Sequence, residues 1–249
     1  KGPAARITRG QADKFKYRVK MKEIVENQDN LDIIQQIIDE IIVENVEIKG
    51  VISSLGIKYS AKSVVLCTGT FLKGRVVIGD VKYPVGRQGE PSAEKLSDSL
   101  VENGIQIDRY QTATPPRLDK RTIDFSKMEA MYGEEYPRYF SVFTEKEKNS
   151  IVPTYLTHTT PNTVSVAKDM LKYSPIVSGI IETHGPRHCP SLDRKVLNFP
   201  DKSDHQIFIE QESEDSNEMY INGLTTAMPP FAQEAMMKTI AGLENTTIM

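Results

Sequence analysis

The stretch Ser63-Val64-Val65-Leu66-Cys67-Thr68-Gly69-Thr70-Phe71 constrains the fold more than any other. Consecutive apolar residues running into a small-residue turn read as a β-strand buried on both faces, which requires layers of structure above and below it. Gly69 lets a ligand approach the backbone, and Thr68 and Thr70 can donate hydrogen bonds. Upstream, a helix is expected to begin at Thr8, with Gln11 three residues on as a capping box, and to carry an apolar stripe of Ala12, Phe15, Val19, Ile24 and Val25 across Asp13 to Asn27. Leu31 to Gln36 and Ile37 to Glu44 read as strands, and Val46 to Ser53 with Gly56 to Ser60 as a hairpin. One helix, several strands and a strand ending in Thr-Gly-Thr predict an α/β layered fold, with ligands beyond the strand carboxyl ends. In that setting Cys67 is expected to be a small buried hydrophobe.

Farther on, Ser92 is expected to cap a helix running to Asn103, closed by Gly104, and Ile105 to Tyr110 to form a strand. Thr112-Ala113-Thr114-Pro115-Pro116-Arg117 makes a rigid turn whose arginine is either solvated or turned to an anion. From Leu118 to about Lys202 the character shifts, with a cluster of aromatics (Phe125, Tyr132, Tyr136, Tyr139, Phe140, Phe143). A strand is predicted at Tyr155 to Thr159 and a helix at Asn162 to Leu171. Strand character returns at Asp204 to Glu210, and a helix follows over Phe231 to Ile240. The expected organisation is 1–117 and 204–249 as parts of one domain, with 118–203 an inserted module.

The densest chemistry lies in Gly185-Pro186-Arg187-His188-Cys189-Pro190-Ser191-Leu192-Asp193-Arg194-Lys195. Pro186 and Pro190 stiffen the backbone around a thiol, and Arg187, His188, Arg194 and Lys195 would favour its thiolate. Two readings stay open: a reactive thiol in a cationic loop, and a surface loop with an incidental cysteine. Of 249 residues, 39% are hydrophobic and 26% charged, enough for a folded core. A net charge of −3 leaves any nucleic-acid contact to a local patch. Two distant cysteines give neither a disulfide framework nor a zinc spacing, and point to a reducing, cytoplasmic setting. No metal is expected. No apolar run approaches membrane-spanning length.

Lys1-Gly2-Pro3-Ala4, the Val64 to Phe71 strand-turn, Thr114-Pro115-Pro116-Arg117, Gly185 to Ser191 and His205-Gln206-Ile207-Phe208 follow one another in this order. Together they resemble the glucose-inhibited division protein A family, with Ala113 and His188 standing where the family usually has glycine and tyrosine. The resemblance implies a glutathione-reductase-like, FAD/NAD(P)-binding three-layer fold with an inserted α+β module. It implies FAD-dependent installation of a carboxymethylaminomethyl group at C5 of the wobble uridine 34 of tRNA. NADH would reduce the flavin, methylene-tetrahydrofolate would supply the carbon, and glycine or ammonium the nitrogen. The expected assembly is a homodimer joined by a potassium-dependent GTPase partner in a heterotetramer. By position, FAD would be held by Ile38, Thr68, Gly69, Thr70 and Ser92, and NAD by Gly185 to Lys195 together with Val196, Leu197, Asn198 and Phe199. Cys189 would be catalytic. The family's Gly-rich βαβ fingerprint and helical C-terminal region are absent from these residues, so the chain reads as a central piece expected to be inactive alone. The alternative within enzymes is another flavin or nicotinamide oxidoreductase acting on a small molecule, and the one from a different class is a noncatalytic RNA- or partner-binding module in which Lys14, Lys16 and Arg18 matter more than the Gly185 loop.

Overall fold

A computed structural model describes residues 9–136, 138–144, 152–183, 191–202 and 204–249. The described residues form two compact units, one from 9–31, 113–174 and 191–249, the other from 32–112 and 175–183.

In the first unit, helix α1 spans Lys14–Glu26. Its cap is Asp13, whose carboxylate accepts from the Lys16 backbone N–H at 2.8 Å. The expected partner Thr8 lies outside the described residues. The predicted apolar stripe is not buried: no residue of α1 is, and Phe15 is 54% exposed. What anchors the helix is charge at its first turn. Lys14 Nζ lies 2.5 Å from Glu212, Lys16 Nζ 2.5 Å from Glu214, and Asp13 accepts the Glu214 N–H at 2.9 Å.

The second unit holds an antiparallel sheet of β1 (Ile38–Glu44), β2 (Glu47–Ser53) and β3 (Lys58–Ser60). Two small hairpins follow, β4 (Val76–Ile78) with β5 (Val81–Tyr83), and β6 (Val85–Arg87) with β7 (Glu90–Pro91). Helix α2 covers Leu96–Glu102 and ends at Gly104, which supplies the left-handed turn at φ +82°. Its N-cap is Lys95 without a side-chain bond, so Ser92 is not the cap. Three predicted strands are absent. Residues 31–36, 61–68 and 105–110 carry no ladder, because no described strand pairs with them. A doubly buried strand needs neighbours on both edges and cover on both faces. Without them Val65 is 84% exposed and Cys67 is exposed rather than a core residue.

The core belongs to the first unit. Strands β8 (Arg117–Asp119), β9 (Glu129–Met131), β10 (Thr154–His158), β11 (Gln206–Gln211) and β12 (Glu218–Asn222) form one antiparallel sheet in the order β8-β12-β11-β10-β9. This sheet takes strands from both sides of position 203. Alternation along β11 and β12 turns Ile207, Ile209, Met219 and Ile221 inward, all essentially inaccessible. They join helices α3 (Pro161–Met170), α4 (Leu192–Asn198) and α5 (Pro230–Met237) through Val164, Ala167, Leu192, Val196, Ala232, Met236 and Met237. Helix α3 is started by a reciprocal cap between Thr160 and Thr163, with Pro161 in its first turn. The opposite strand face places Glu210 and Glu212 together, both buried. Arg9 binds Glu210 through two contacts of 2.7 Å, and Arg117 and Lys14 bind Glu212.

Of the aromatic cluster, Phe125 pairs with the Tyr155 ring at 4.4 Å, while Tyr132, Tyr136, Phe140 and Phe143 are exposed. Among the described residues no helix is long and apolar enough to cross a membrane.

Candidate functional site

Gly185, Pro186, Arg187, His188, Cys189 and Pro190 lie outside the described residues, and the remainder of that segment is helix α4. Ser191 caps it, its hydroxyl accepting from Arg194 N–H at 3.4 Å. The helix is set against the segment after β12 by three bonds: Leu192 N–H to Thr225 O at 2.8 Å, Thr226 Oγ1 to Asp193, and Lys195 Nζ to Gly223 O at 3.2 Å. Leu192 and Val196 face the core, Arg194 and Lys195 are half-buried, and Leu197, Asn198 and Phe199 are exposed. Asp193 is 1% exposed, and burial raises its carboxyl to about 6 against the bonds from Thr226. The ammonium of Lys195 titrates below its usual range, through burial first and then the neighbouring charge of Lys202.

Gly223 permits this arrangement. It sits at φ +107°, and a Cβ there would come within 2.6 Å of Gln206 O.

The residues expected to hold flavin all lie in the second unit, and the structure brings their segments together. The 68–71 turn is joined to the Ser92 segment by two 2.9 Å bonds, Ala93 N–H to Phe71 O and Lys73 N–H to Ala93 O. Ile38 opens β1, whose next residue Asp39 binds Lys95 at 2.9 Å, while Ser99 of α2 accepts the Ile41 N–H at 3.0 Å. Gly69 leaves an open approach, since a Cβ there would meet nothing within 4 Å. Two of the hydroxyls are already engaged: Thr70 donates to Gly86 O at 2.6 Å, and Ser92 bonds Glu94. Glu94 is held to about 2, mainly by Arg75 and then by Ser92. The start of β1 and the open glycine turn fit a ligand held through backbone groups.

Arg117 is neither solvated nor free for an anion. It bonds Glu212, Thr114 Oγ1 at 3.0 Å and Pro115 O at 2.9 Å, and its guanidinium lies 4.7 Å from the Tyr220 ring centre. Lys14 and Lys16 are likewise committed to carboxylates.

Sequence reasoning missed Asp193 as a buried carboxyl, and His205 and Lys202 beside Lys195 in one cleft. The alternation of His205-Gln206-Ile207-Phe208-Ile209 was the available signal, because it turns His205 inward with Ile207 and Ile209.

The sequence pattern of the family described as "Glucose inhibited division protein A" matches residues 1–249. The chain is 65% identical to the tRNA uridine 5-carboxymethylaminomethyl modification enzyme MnmG 1 of Fusobacterium nucleatum, over 100% of this chain and 41% of that protein. It is 44% identical to MnmG of Bacillus subtilis, over 100% of this chain and 40% of that one. Among solved structures, GidA of Aquifex aeolicus superimposes with a TM-score of 0.88 at 44% identity, covering 96% of this chain and 41% of that one. The chain thus spans about two fifths of the length of these relatives. It has their mixed α/β architecture along nearly its whole length, and it belongs to the glucose-inhibited division protein A family.

Proposed function

We propose that this protein acts in FAD-dependent tRNA modification, adding the carboxymethylaminomethyl group at C5 of wobble uridine 34. The observation that carries the reading is 65% identity, over the whole chain, to an enzyme named for that modification. In this reading NADH and methylene-tetrahydrofolate are co-substrates, and a potassium-dependent GTPase joins a homodimer of the protein in a cytoplasmic heterotetramer. Ile38, the Thr68-Gly69-Thr70 turn and Ser92 would hold the flavin, supported by their convergence and by the open Cα of Gly69. The bound flavin would supply the redox chemistry. The segment Gly185 to Phe199 would take the nicotinamide cofactor, with α4 fixing its second half against the sheet.

Cys189 would act as the thiolate that adds to C6 of the uracil ring, making C5 nucleophilic, and would leave when C5 has been substituted and has lost its proton. The pairing of Lys14 and Lys16 with Glu212 and Glu214 speaks against a module that binds RNA through α1.

The test is a visible spectrum of the full parent protein, purified without added cofactor, followed by mass spectrometry of its tRNA. A bound flavin bleached by NADH, with modification lost in Cys189→Ser, is expected. A colourless protein that takes up no FAD would overturn the flavoenzyme reading, and a fully active Cys189→Ser would overturn the role of the thiol. Alkylation faster at Cys189 than at the exposed Cys67 is expected alongside.

A further inference from the structure

We propose that the cleft formed where β10 ends, β11 begins and β12 passes into Gly223 binds a compact oxyanion, with a phosphate group as the ligand class its side chains fit. Antiparallel pairing sets His158 opposite Gln206 and Phe208 opposite Asn222, so three strand ends meet along one sheet edge. The cleft they border has a volume of about 590 Å³. Lys195 reaches it from α4, and Lys202 and His205 from the segment leading into β11.

Charge in this cleft is unbalanced. On the opposite sheet face each of Arg9, Lys14 and Arg117 meets a carboxylate. Here Lys195 has a backbone carbonyl as its hydrogen-bond acceptor. Among the described lining residues the sole carboxylate is Asp204, which is exposed and lies 3.9 Å from His158. Lys195 and His205 both titrate below their usual ranges, for the same two reasons: burial, then neighbouring positive charge. An anion seated between them would relieve both.

The independent observation is His205. It is 6% exposed, and its Nε2 is buried with no hydrogen-bond partner. A buried polar atom without a partner is costly to keep, and an ion or ligand that supplies the partner relieves it. Burial and the charges of Lys195 and Lys202 favour the neutral ring, against the pull of Asp204 and the Lys202 backbone. Protonation makes both ring nitrogens donors. An oxyanion needs a donor at Nε2. Binding must then take up one proton at His205, against Lys195 and Lys202 and with help from Asp204. His158, across the cleft, is the other titratable group that faces it.

The experiment is calorimetric titration of the full chain with inorganic phosphate against sodium chloride at equal ionic strength. Saturable phosphate binding that takes up about one proton and tightens as pH falls through the histidine range is expected. His205→Gln and Lys195→Met should each weaken it about tenfold, the effect of losing one charge-assisted hydrogen bond. The exposed Lys202→Gln guards against a folding failure in the buried variants, and should weaken binding about threefold.

ADP as a second titrant separates the sources. Tighter binding of ADP in competition with phosphate assigns the site to a nucleotide, and equal binding assigns it to free phosphate. Phosphate that behaves like chloride, or binding unchanged in all three variants, overturns the proposal. Lys195 belongs to the segment proposed for the nicotinamide cofactor, so a nucleotide outcome rests on that reading and free-phosphate binding does not; no flavin or tRNA enters this measurement, so its failure is distinguishable from failure of the tRNA-modification reading.

Discussion

Thr226 Oγ1 lies 3.0 and 3.1 Å from the two carboxylate oxygens of Asp193, and the same hydroxyl accepts the Met228 N–H at 3.1 Å. One threonine thereby links the first turn of α4 to the segment that leads into α5. The carboxyl it holds is buried, and burial raises its titration to about 6 from an ordinary 3.8.

Asp193 makes stability fall as pH rises. Its native affinity for the proton exceeds its unfolded one, so its contribution is complete below about 3.8 and is lost as pH climbs through about 6. A shift of this size corresponds to at most about 3 kcal/mol. Asp193→Asn should therefore stabilise the chain by about 1–2 kcal/mol near pH 8, with the gain gone near pH 4. Urea unfolding at both pH values checks this, and an equal effect at both would exclude the linkage.

Arg117 joins a buried acidic residue to an aromatic face, with Glu212 on one side and Tyr220 at 4.7 Å on the other. Arg117→Met should cost about 1–3 kcal/mol, because Glu212 loses one of its two cations in a site with little water. Arg117→Lys should recover less than half of the loss, since an ammonium cannot serve Glu212, Thr114 and Pro115 from one plane. Denaturant midpoints of the two variants decide it.

The β1–β2 turn carries strain. Glu44 pairs with Glu47 across Asn45 and Val46, both at positive φ, +50° and +66°. Asparagine tolerates that region and a β-branched residue does not. Val46 is 97% exposed, so it gains nothing by packing there. Val46→Gly should stabilise the second unit by about 1 kcal/mol, and Val46→Ala by less, because a Cβ remains. Thermal unfolding that ranks alanine above glycine would contradict this account.

Gly50 is the converse case. It pairs with both Ile42 and Ser60 at φ +152°, and a Cβ would stand 2.0 Å from Tyr59 O. Gly50→Ala should cost about 3 kcal/mol and open the β2–β3 ladder first. Amide exchange of Val51 and Ile52 would report that opening before global unfolding does.

By itself the sequence determined the elements whose signals are local. The Ile38 to Ser60 hairpins, the helix after Thr160-Pro161, the strand at Gln206 and the helix at Pro230 are each written in alternation, caps and turn residues, and all are present. The family was legible too, because ordered motifs along a chain survive whatever surrounds them. Burial was not legible. Val64 to Leu66 have the composition of a doubly covered strand, but no described neighbour pairs with them, and the apolar stripe of α1 meets no core. The same composition is compatible with an exposed segment, and only packing distinguishes the two. Charge pairing was equally beyond the sequence. Arg117 reads as a solvated arginine until the sheet sets Glu212 beside it, and Asp193 reads as one acid in a basic loop until α4 turns it into the core. These partners are far apart in the chain and meet through strand register and helix docking, so tertiary structure alone decided which charges are spent on the fold and which are left for a ligand.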